Sequence, residues 1–182
     1  MGKYMFASDL HGSAYYCRKM LEAYKEEKAE RLIMLGDLLY HGPRNDLPKE
    51  YAPKEVIKML NDHKDEIYTV RGNCEASVDQ MVLDFPVLAD YALLVLNDLT
   101  FFATHGDVFH EKNLPPLKKG DILVHGHTHV LRAEDKGDYY LLNPGSVSIP
   151  KEGNPSTYGI LEDKTFTIKD FEGNVIRSIE FR

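Results

Sequence analysis

One unit recurs along this chain and limits what it can fold into: a short apolar run that ends beside a glycine and an aspartate, asparagine or histidine. Tyr4-Met5-Phe6-Ala7 leads into Asp9-Leu10-His11-Gly12, Leu32-Ile33-Met34-Leu35 into Gly36-Asp37, and Tyr68-Thr69-Val70 into Gly72-Asn73-Cys74-Glu75. Phe101-Phe102-Ala103-Thr104 then leads into His105-Gly106, and Ile122-Leu123-Val124 into His125-Gly126-His127-Thr128-His129. Apolar runs of this length are buried strands. In open α/β sheets the functional crevice lies outside the carboxyl ends of the strands, so Asp9, His11, Asp37 and Asn73 should gather in one place.

The segments between the runs set the architecture. Ala14 to Glu26 reads as a helix with Ser13 at its N-cap, and Pro53 to Asn61 as a second helix with proline at its start. With strands at Tyr4–Ala7, Arg31–Leu35 and Ile67–Val70, the first half is β-α-β-α-β, a pattern that calls for parallel strands under helices. From Tyr91 the strands are joined by short turns at Asn97-Asp98, Lys136-Gly137, Asp163-Lys164 and Glu172-Gly173-Asn174, so hairpins dominate. A parallel half followed by a mostly antiparallel half predicts an α/β fold of two facing sheets with helices outside, as one domain over residues 1–182.

Composition excludes several classes. The longest apolar runs, such as Tyr91 to Leu96, fall far short of the ~18 residues of a membrane span. The start, Met1 to Asp9, has too short an apolar stretch for a secretory signal, so a cytoplasmic address is expected. Twenty-nine acids against 22 bases give a net charge of −7, which opposes binding to a long nucleic acid. Cys17 and Cys74 form neither a disulfide framework nor a CxxC zinc unit, so any metal must use other ligands. Cys17 falls among Tyr16, Met20 and Leu21 and reads as a small core residue.

Two aspartates, an asparagine amide and at least four histidines exceed what one tetrahedral site can use, so two metal ions are implied, with Asp37, alone on its turn, as the expected bridge. Oxygen and imidazole donors suit Mn²⁺, Fe, Zn²⁺, Ni²⁺ or Co²⁺ and do not choose among them. The flanking glycines are expected to let the backbone turn sharply and approach the ions. Each block alone is an ordinary cap or turn, and only the ordered set of five gives the metal reading its weight. His41, His63, His110 and His125 stand outside that set and read as solvated or packed side chains; His125, further back in its strand than His127, is the doubtful one.

Asp9-x-His11, Gly36-Asp37, Gly72-Asn73-x-Glu75, His105-Gly106 and Gly126-His127-x-His129 resemble the five signature blocks of the calcineurin-like metallophosphoesterases, in the family's order. The loop His41-Gly42-Pro43-Arg44-Asn45 and the segment Asn143 to Pro150 are similar to those of its compact bacterial and archaeal phosphodiesterases, the YfcE type. The resemblance implies a four-layer α/β/β/α sandwich, with Asp9, His11, Asp37 and His129 around one metal and Asp37, Asn73, His105 and His127 around the other. It also implies manganese as a frequent activator. From that follows direct hydrolysis of a small phosphodiester by a metal-bridging hydroxide. Asn73 would also contact the phosphate, and Arg44 is read as a substrate donor, with a solvated loop charge as the ordinary alternative.

One departure is informative. Where the family commonly has histidine after the asparagine, this chain has Cys74. A thiol is a weaker hydrogen-bonding partner for a leaving group, so Cys74 is expected to favour diesters with good leaving groups over monoesters, the alternative being that it only packs. A phosphomonoesterase on the same site and a non-catalytic scaffold of the same fold are the rival functions. A metallo-β-lactamase-type hydrolase fails because Val130 and Leu131 follow His129 where Asp-His is required. Apolar, proline-containing loop ends leave room for a homo-oligomer.

Overall fold

A computed structural model describes residues 2–182. Strand β1 (Lys3–Ala7), helix α1 (Ala14–Glu27), β2 (Arg31–Met34), helix α2 (Pro53–Asn61) and β3 (Ile67–Thr69) follow in the expected order. β1 pairs parallel with β2, Met5 beside Leu32, and β2 pairs parallel with β3. Alternation along β1 sends Met5 and Ala7 to the helices and Phe6 to the opposite face, so both faces are buried. In α1 the Ser13 hydroxyl accepts from the Tyr16 N–H at 3.2 Å, and Cys17, Met20, Leu21 and Tyr24 are buried at helical spacing. In α2, Val56 and Leu60 bury the face turned to the same core, into which Cys17 is fully packed.

A short helix, α3 (Ser77–Val82), was not legible in the sequence. Its start is held by the Asp79 carboxylate, which accepts from the Ala76 N–H at 2.7 Å, while Val78, Met81 and Val82 are exposed. It therefore carries no apolar stripe to announce it.

The remaining strands are β4 (Tyr91–Leu96), β5 (Leu99–Thr104), β6 (Ile122–Val124), β7 (Arg132–Asp135), β8 (Tyr140–Asn143), β9 (Thr157–Glu162), β10 (Thr165–Asp170) and β11 (Val175–Glu180). They do not form a separate antiparallel half. β9, β10 and β11 complete the first sheet, ordered β11-β10-β9-β1-β2-β3, with β9 antiparallel to β1. The second sheet, β4-β5-β6-β8-β7, pairs β5, β6 and β8 parallel to one another and is antiparallel only at its margins. Alternating patterns state which face of a strand is buried, not which sheet it joins, and that choice is made by long-range pairing.

The two mixed sheets face each other across Phe6, Ile33, Phe101, Val124, Phe166 and Ile168. The Phe6 ring stacks on Phe101 at 5.6 Å and meets Phe166 edge-on at 5.5 Å. The α/β sandwich is the expected one, with one difference in its outer layers. Phe102, Leu123 and Leu141, on the outer face of the second sheet, are covered by Phe109, Leu117 and Tyr139 rather than by a helix. Among the described residues no helix is long and apolar enough to cross a membrane.

Candidate metal centre

Each expected ligand leaves the end of a strand toward the same edge of the sandwich: Asp9 and His11 after β1, Asp37 after β2, Asn73 after β3, His105 after β5, and His127 and His129 after β6. Glycine and candidate ligand share the sharp turns: Gly12 (φ 77°), Gly36 (94°) and Gly106 (111°) take positive φ as expected. Asp9 (φ 57°), His11 (50°), Asp37 (57°), His127 (65°) and His129 (59°) adopt the left-handed region themselves. Aspartate and histidine tolerate that region better than most residues, and the bend is held by backbone bonds from the Asp9 N–H to Gly36 O at 3.1 Å and from the His11 N–H to Asp37 O at 2.9 Å. At Gly72 and Gly126 glycine is needed for close approach: a Cβ on Gly72 would overlap the Asp37 carboxylate, and one on Gly126 would overlap Ser8 and crowd Asp9.

Backbone carbonyls fix the rings. Nδ1–H of His11 donates to Tyr40 O at 2.8 Å, that of His129 to Ile149 O at 2.8 Å, and that of His105 to Leu35 O at 2.6 Å. In the neutral imidazole each Nε2 is then a lone pair. The Nε2 atoms of His11 and His129 face each other at 3.3 Å, and Asp9 Oδ1 is 3.3 Å from the second of them, buried and without a hydrogen-bond partner. His105 Nε2 lies 3.3 Å from Asp37 Oδ2, 3.0 Å from Asn73 Oδ1 and 3.2 Å from His127 Nδ1. Asp37 Oδ2 is also 3.6 Å from His11 Nε2, so it adjoins both groups. Neither buried carboxylate pairs with a lysine or arginine among the described residues. Lone pairs aimed at lone pairs around two uncompensated carboxylates are a donor set that fits divalent cations.

Without cations, protons take their place. Burial opposes charge on Asp9 and Asp37, but contacts to His11 and His129 hold Asp9 well below the usual carboxylate range, and those to His105 lower Asp37. Burial likewise works against a charged His105, yet its contacts with Asp37 and Asp9 raise it to about 10. Burial lowers His127. The folded pKa of His105 lies above its unfolded value, so in metal-free protein its stabilisation is full below roughly pH 6.5 and lost as pH rises through about 10. A cation that takes Nε2 must displace that proton. Apparent metal affinity is therefore expected to rise about tenfold per pH unit between pH 7 and 9, with a proton release of about one that calorimetry in two buffers counts. A pH-independent affinity would contradict this.

Three side chains that the sequence reading gave no role hold the ligands in place. Glu75 is buried and accepts from the N–H groups of Asp37 (2.8 Å), Leu38 (2.8 Å) and Gly72 (2.6 Å), tying the end of β2 to the end of β3. Burial pushes its carboxyl up, against the pull of those three bonds. The hydroxyls of Ser146 and Ser148 donate to Asp9 O at 2.9 and 3.0 Å, and Ile149 O in the same segment orients His129. The Asp9 Oδ2 atom accepts from the His127 N–H at 3.0 Å.

A cavity of ≈ 360 Å³ opens over His11, Asp37, Asn73, His127 and His129. Arg44, exposed and without an ion pair among the described residues, lies on its wall with Cys74 and Lys151. The Cys74 N–H donates to Asp37 Oδ1 at 2.9 Å, and its sulfur can share a cation with His11 and Asp37. Burial, then the Asp37 carboxylate, pushes the thiol up, so it stays protonated at neutral pH. The other histidines lie apart: His63 donates to Met59 O at the end of α2, His110 accepts from the Lys112 N–H, and His41 packs on Tyr40 and Tyr51. His125 is packed in the sheet, its Nδ1–H on Gly126 O at 3.0 Å.

The calcineurin-like phosphoesterase superfamily domain matches residues 3–165. The chain belongs to this superfamily. A calcineurin-like phosphoesterase with this ligand set implies divalent metals. The chain is 47% identical over 168 residues to the phosphodiesterase YfcE of Escherichia coli, across 92% of this chain and 91% of that one. The solved structure of the Escherichia coli phosphoesterase YfcE superposes with a TM-score of 0.97 at 44% identity, covering 99% of this chain and 100% of that one. The fold also matches vacuolar protein sorting 29 of Cryptosporidium parvum, with a TM-score of 0.65 at 19% identity over 98% of both chains. That match concerns the fold alone.

Proposed function

We propose that the chain is a metal-dependent phosphodiesterase acting on a small phosphodiester at a dinuclear centre. In this reading Asp9, His11, Asp37 and His129 hold one ion, and Asp37, Asn73, His105 and His127 the other, with manganese the first choice and Ni²⁺, Zn²⁺, Fe or Co²⁺ the alternatives. The observation that carries it is the convergence of the His11, His105 and His129 Nε2 atoms on two buried carboxylates that pair with no lysine or arginine among the described residues. Two bound divalent cations supply a clamp on the phosphoryl oxygens and an activated water poised for in-line attack.

The chain's own residues do the rest. Asp37 Oδ2 holds both halves of the centre at a fixed separation, and Glu75 holds Asp37. Asn73, exposed beside His105, offers its amide N–H groups to a phosphoryl oxygen while Oδ1 faces the centre. Arg44 extends along the cavity wall, where a guanidinium pairs with a non-bridging oxygen. The identity to a phosphodiesterase favours diesters. The intact donor set speaks against a scaffold, and the net charge of −7 against a long nucleic acid.

Cys74 is proposed to set the preference for diesters. A partly buried thiol is a poorer hydrogen-bonding partner for a departing alkoxide than an imidazole, so esters with good leaving groups are expected to react fastest. Hydrolysis of bis-p-nitrophenyl phosphate beside p-nitrophenyl phosphate, with Mn²⁺, Ni²⁺, Zn²⁺ or Mg²⁺ returned to stripped protein, is expected to favour the diester. Cys74→His is expected to shift the monoester-to-diester ratio of kcat/KM upward by roughly tenfold or more. An unchanged ratio would mean that Cys74 only packs, and a wild-type preference for the monoester would replace the diesterase reading with a monoesterase. A homo-oligomer also belongs to the proposal: the edge strand β4 exposes Leu93 and Val95, and a second copy covering them would double the sedimenting mass.

A further inference from the structure

Two cations stand on the wall of the cavity over the metal centre, and they come from different loops. Arg44 follows β2 and Lys151 follows β8; both are exposed, and neither makes an ion pair among the described residues. The one acid on that wall, Asp37, belongs to the centre. In a chain with 29 acids and 22 bases, a wall with two free bases and no free acid runs against the overall charge.

Lys151 is anchored through its backbone. Its N–H donates to O of the candidate ligand His129 at 3.1 Å, and its own O accepts from the Asn154 backbone N–H at 3.2 Å and the Asn154 side-chain amide at 2.9 Å. Glu152 (φ 58°) and Gly153 (72°) between them close a tight reverse turn. Glu152, the neighbouring acid, lines a separate cavity with Arg132 and Arg177 and does not pair with the lysine. The stem of Lys151 is thus tied to a ligand's backbone while its ammonium has no internal partner among the described residues.

The charge of the substrate decides what that ammonium is for. A phosphodiester brings one negative charge, which the centre and Arg44 meet in the reading above, and two neutral ester groups leave nothing for a second base. Resting on that phosphodiesterase reading, we infer that one ester group of the substrate carries a further oxyanion, and that Lys151 is the specificity-determining residue that pairs with it. Lysine is a compact point charge without arginine's bidentate fork, so it serves a carboxylate and a phosphate alike.

Calorimetry on Mn²⁺-loaded protein tests this with phosphonates, which contain no ester and are not turned over. 3-Phosphonopropionate is compared with propylphosphonate, and 6-phosphonohexanoate with hexylphosphonate, so that each pair differs only in a terminal carboxylate and two reaches are covered. At one length or both, the carboxylate is expected to tighten binding about fivefold, the upper end for an exposed ion pair. Lys151→Met should bring the ratio to about one, Lys151→Glu below one, and Lys151→Arg should keep most of it; the side chain makes no internal bond among the described residues, so folding is not at stake. Replacing the terminal carboxylate by a second phosphonate names the oxyanion, the tighter of the two being the one the site takes. A wild-type ratio of about one at both lengths would overturn the inference, as would no binding of any phosphonate at millimolar concentration. So would a ratio that survives Lys151→Met, since the carboxylate would then sit on the ions themselves. Turnover of bis-p-nitrophenyl phosphate by the same preparation reports separately on the phosphodiesterase reading: a Lys151-dependent ratio without turnover would sink that reading and leave the anion site standing.

Discussion

Asp37→Ala is expected to cut metal-dependent diester turnover by roughly a thousandfold or more, about 4 kcal/mol of barrier, and to reduce the metal content to one ion per chain or fewer. Asp37 Oδ2 adjoins both halves of the proposed site, 3.3 Å from His105 Nε2 and 3.6 Å from His11 Nε2. Its loss separates the halves and removes one of two buried negative charges that attract the cations. The fold should survive, because the residue's backbone bonds do not depend on its side chain. Metal analysis and kinetics on the same folded sample check this. Near-normal turnover with two bound ions would show that the bridge is elsewhere.

Glu75→Ala acts on stability first. It leaves the N–H groups of Asp37, Leu38 and Gly72 without their acceptor inside the protein, and each buried N–H so stranded costs ~1–3 kcal/mol. The expected loss is roughly 3–5 kcal/mol, which for a chain of this size lowers the melting temperature by roughly 10 °C. Metal affinity should fall with it, by roughly 10–100-fold, since the carboxylate fixes the turn that carries Asp37. Glu75→Gln keeps one oxygen for Asp37 and Gly72, which share Oε2, but turns an amide donor toward Leu38, and should fall between the two. Thermal melts of the three metal-stripped proteins decide the matter, and an alanine variant as stable as the wild type would remove Glu75 from the account.

The convergence of the seven candidate ligands was legible because strand ends are: an apolar run closed by glycine and a donor residue is a local pattern, and all seven side chains meet at one edge. What holds them was not. Glu75 reaches back 38 positions to Asp37, and Ser146 lies 137 positions from Asp9, so neither role leaves a local trace. The glycine turns at Gly12, Gly36 and Gly106 were legible, but the left-handed backbone of Asp9, His11, Asp37, His127 and His129 was not, because it is held by surrounding structure that over-determines it. The placement of β9 to β11 beside β1 escaped the reading for a related reason. Met5 and Ile160 are partners across 155 positions, and only burial of the whole sheet selects that pairing over one with the second sheet. The coil that covers Phe102, Leu123 and Leu141 shows the same limit, since packing there is supplied by Phe109 and Leu117 on irregular backbone with no period to read.

In the proposed dinuclear reading, this chain works through two ions held by one set of residues. Its most direct test is titration of metal-stripped protein with Mn²⁺ while bis-p-nitrophenyl phosphate turnover is followed. Turnover should begin from zero and reach its plateau at two equivalents per chain. A plateau at one equivalent, or full turnover by the stripped protein, would contradict it.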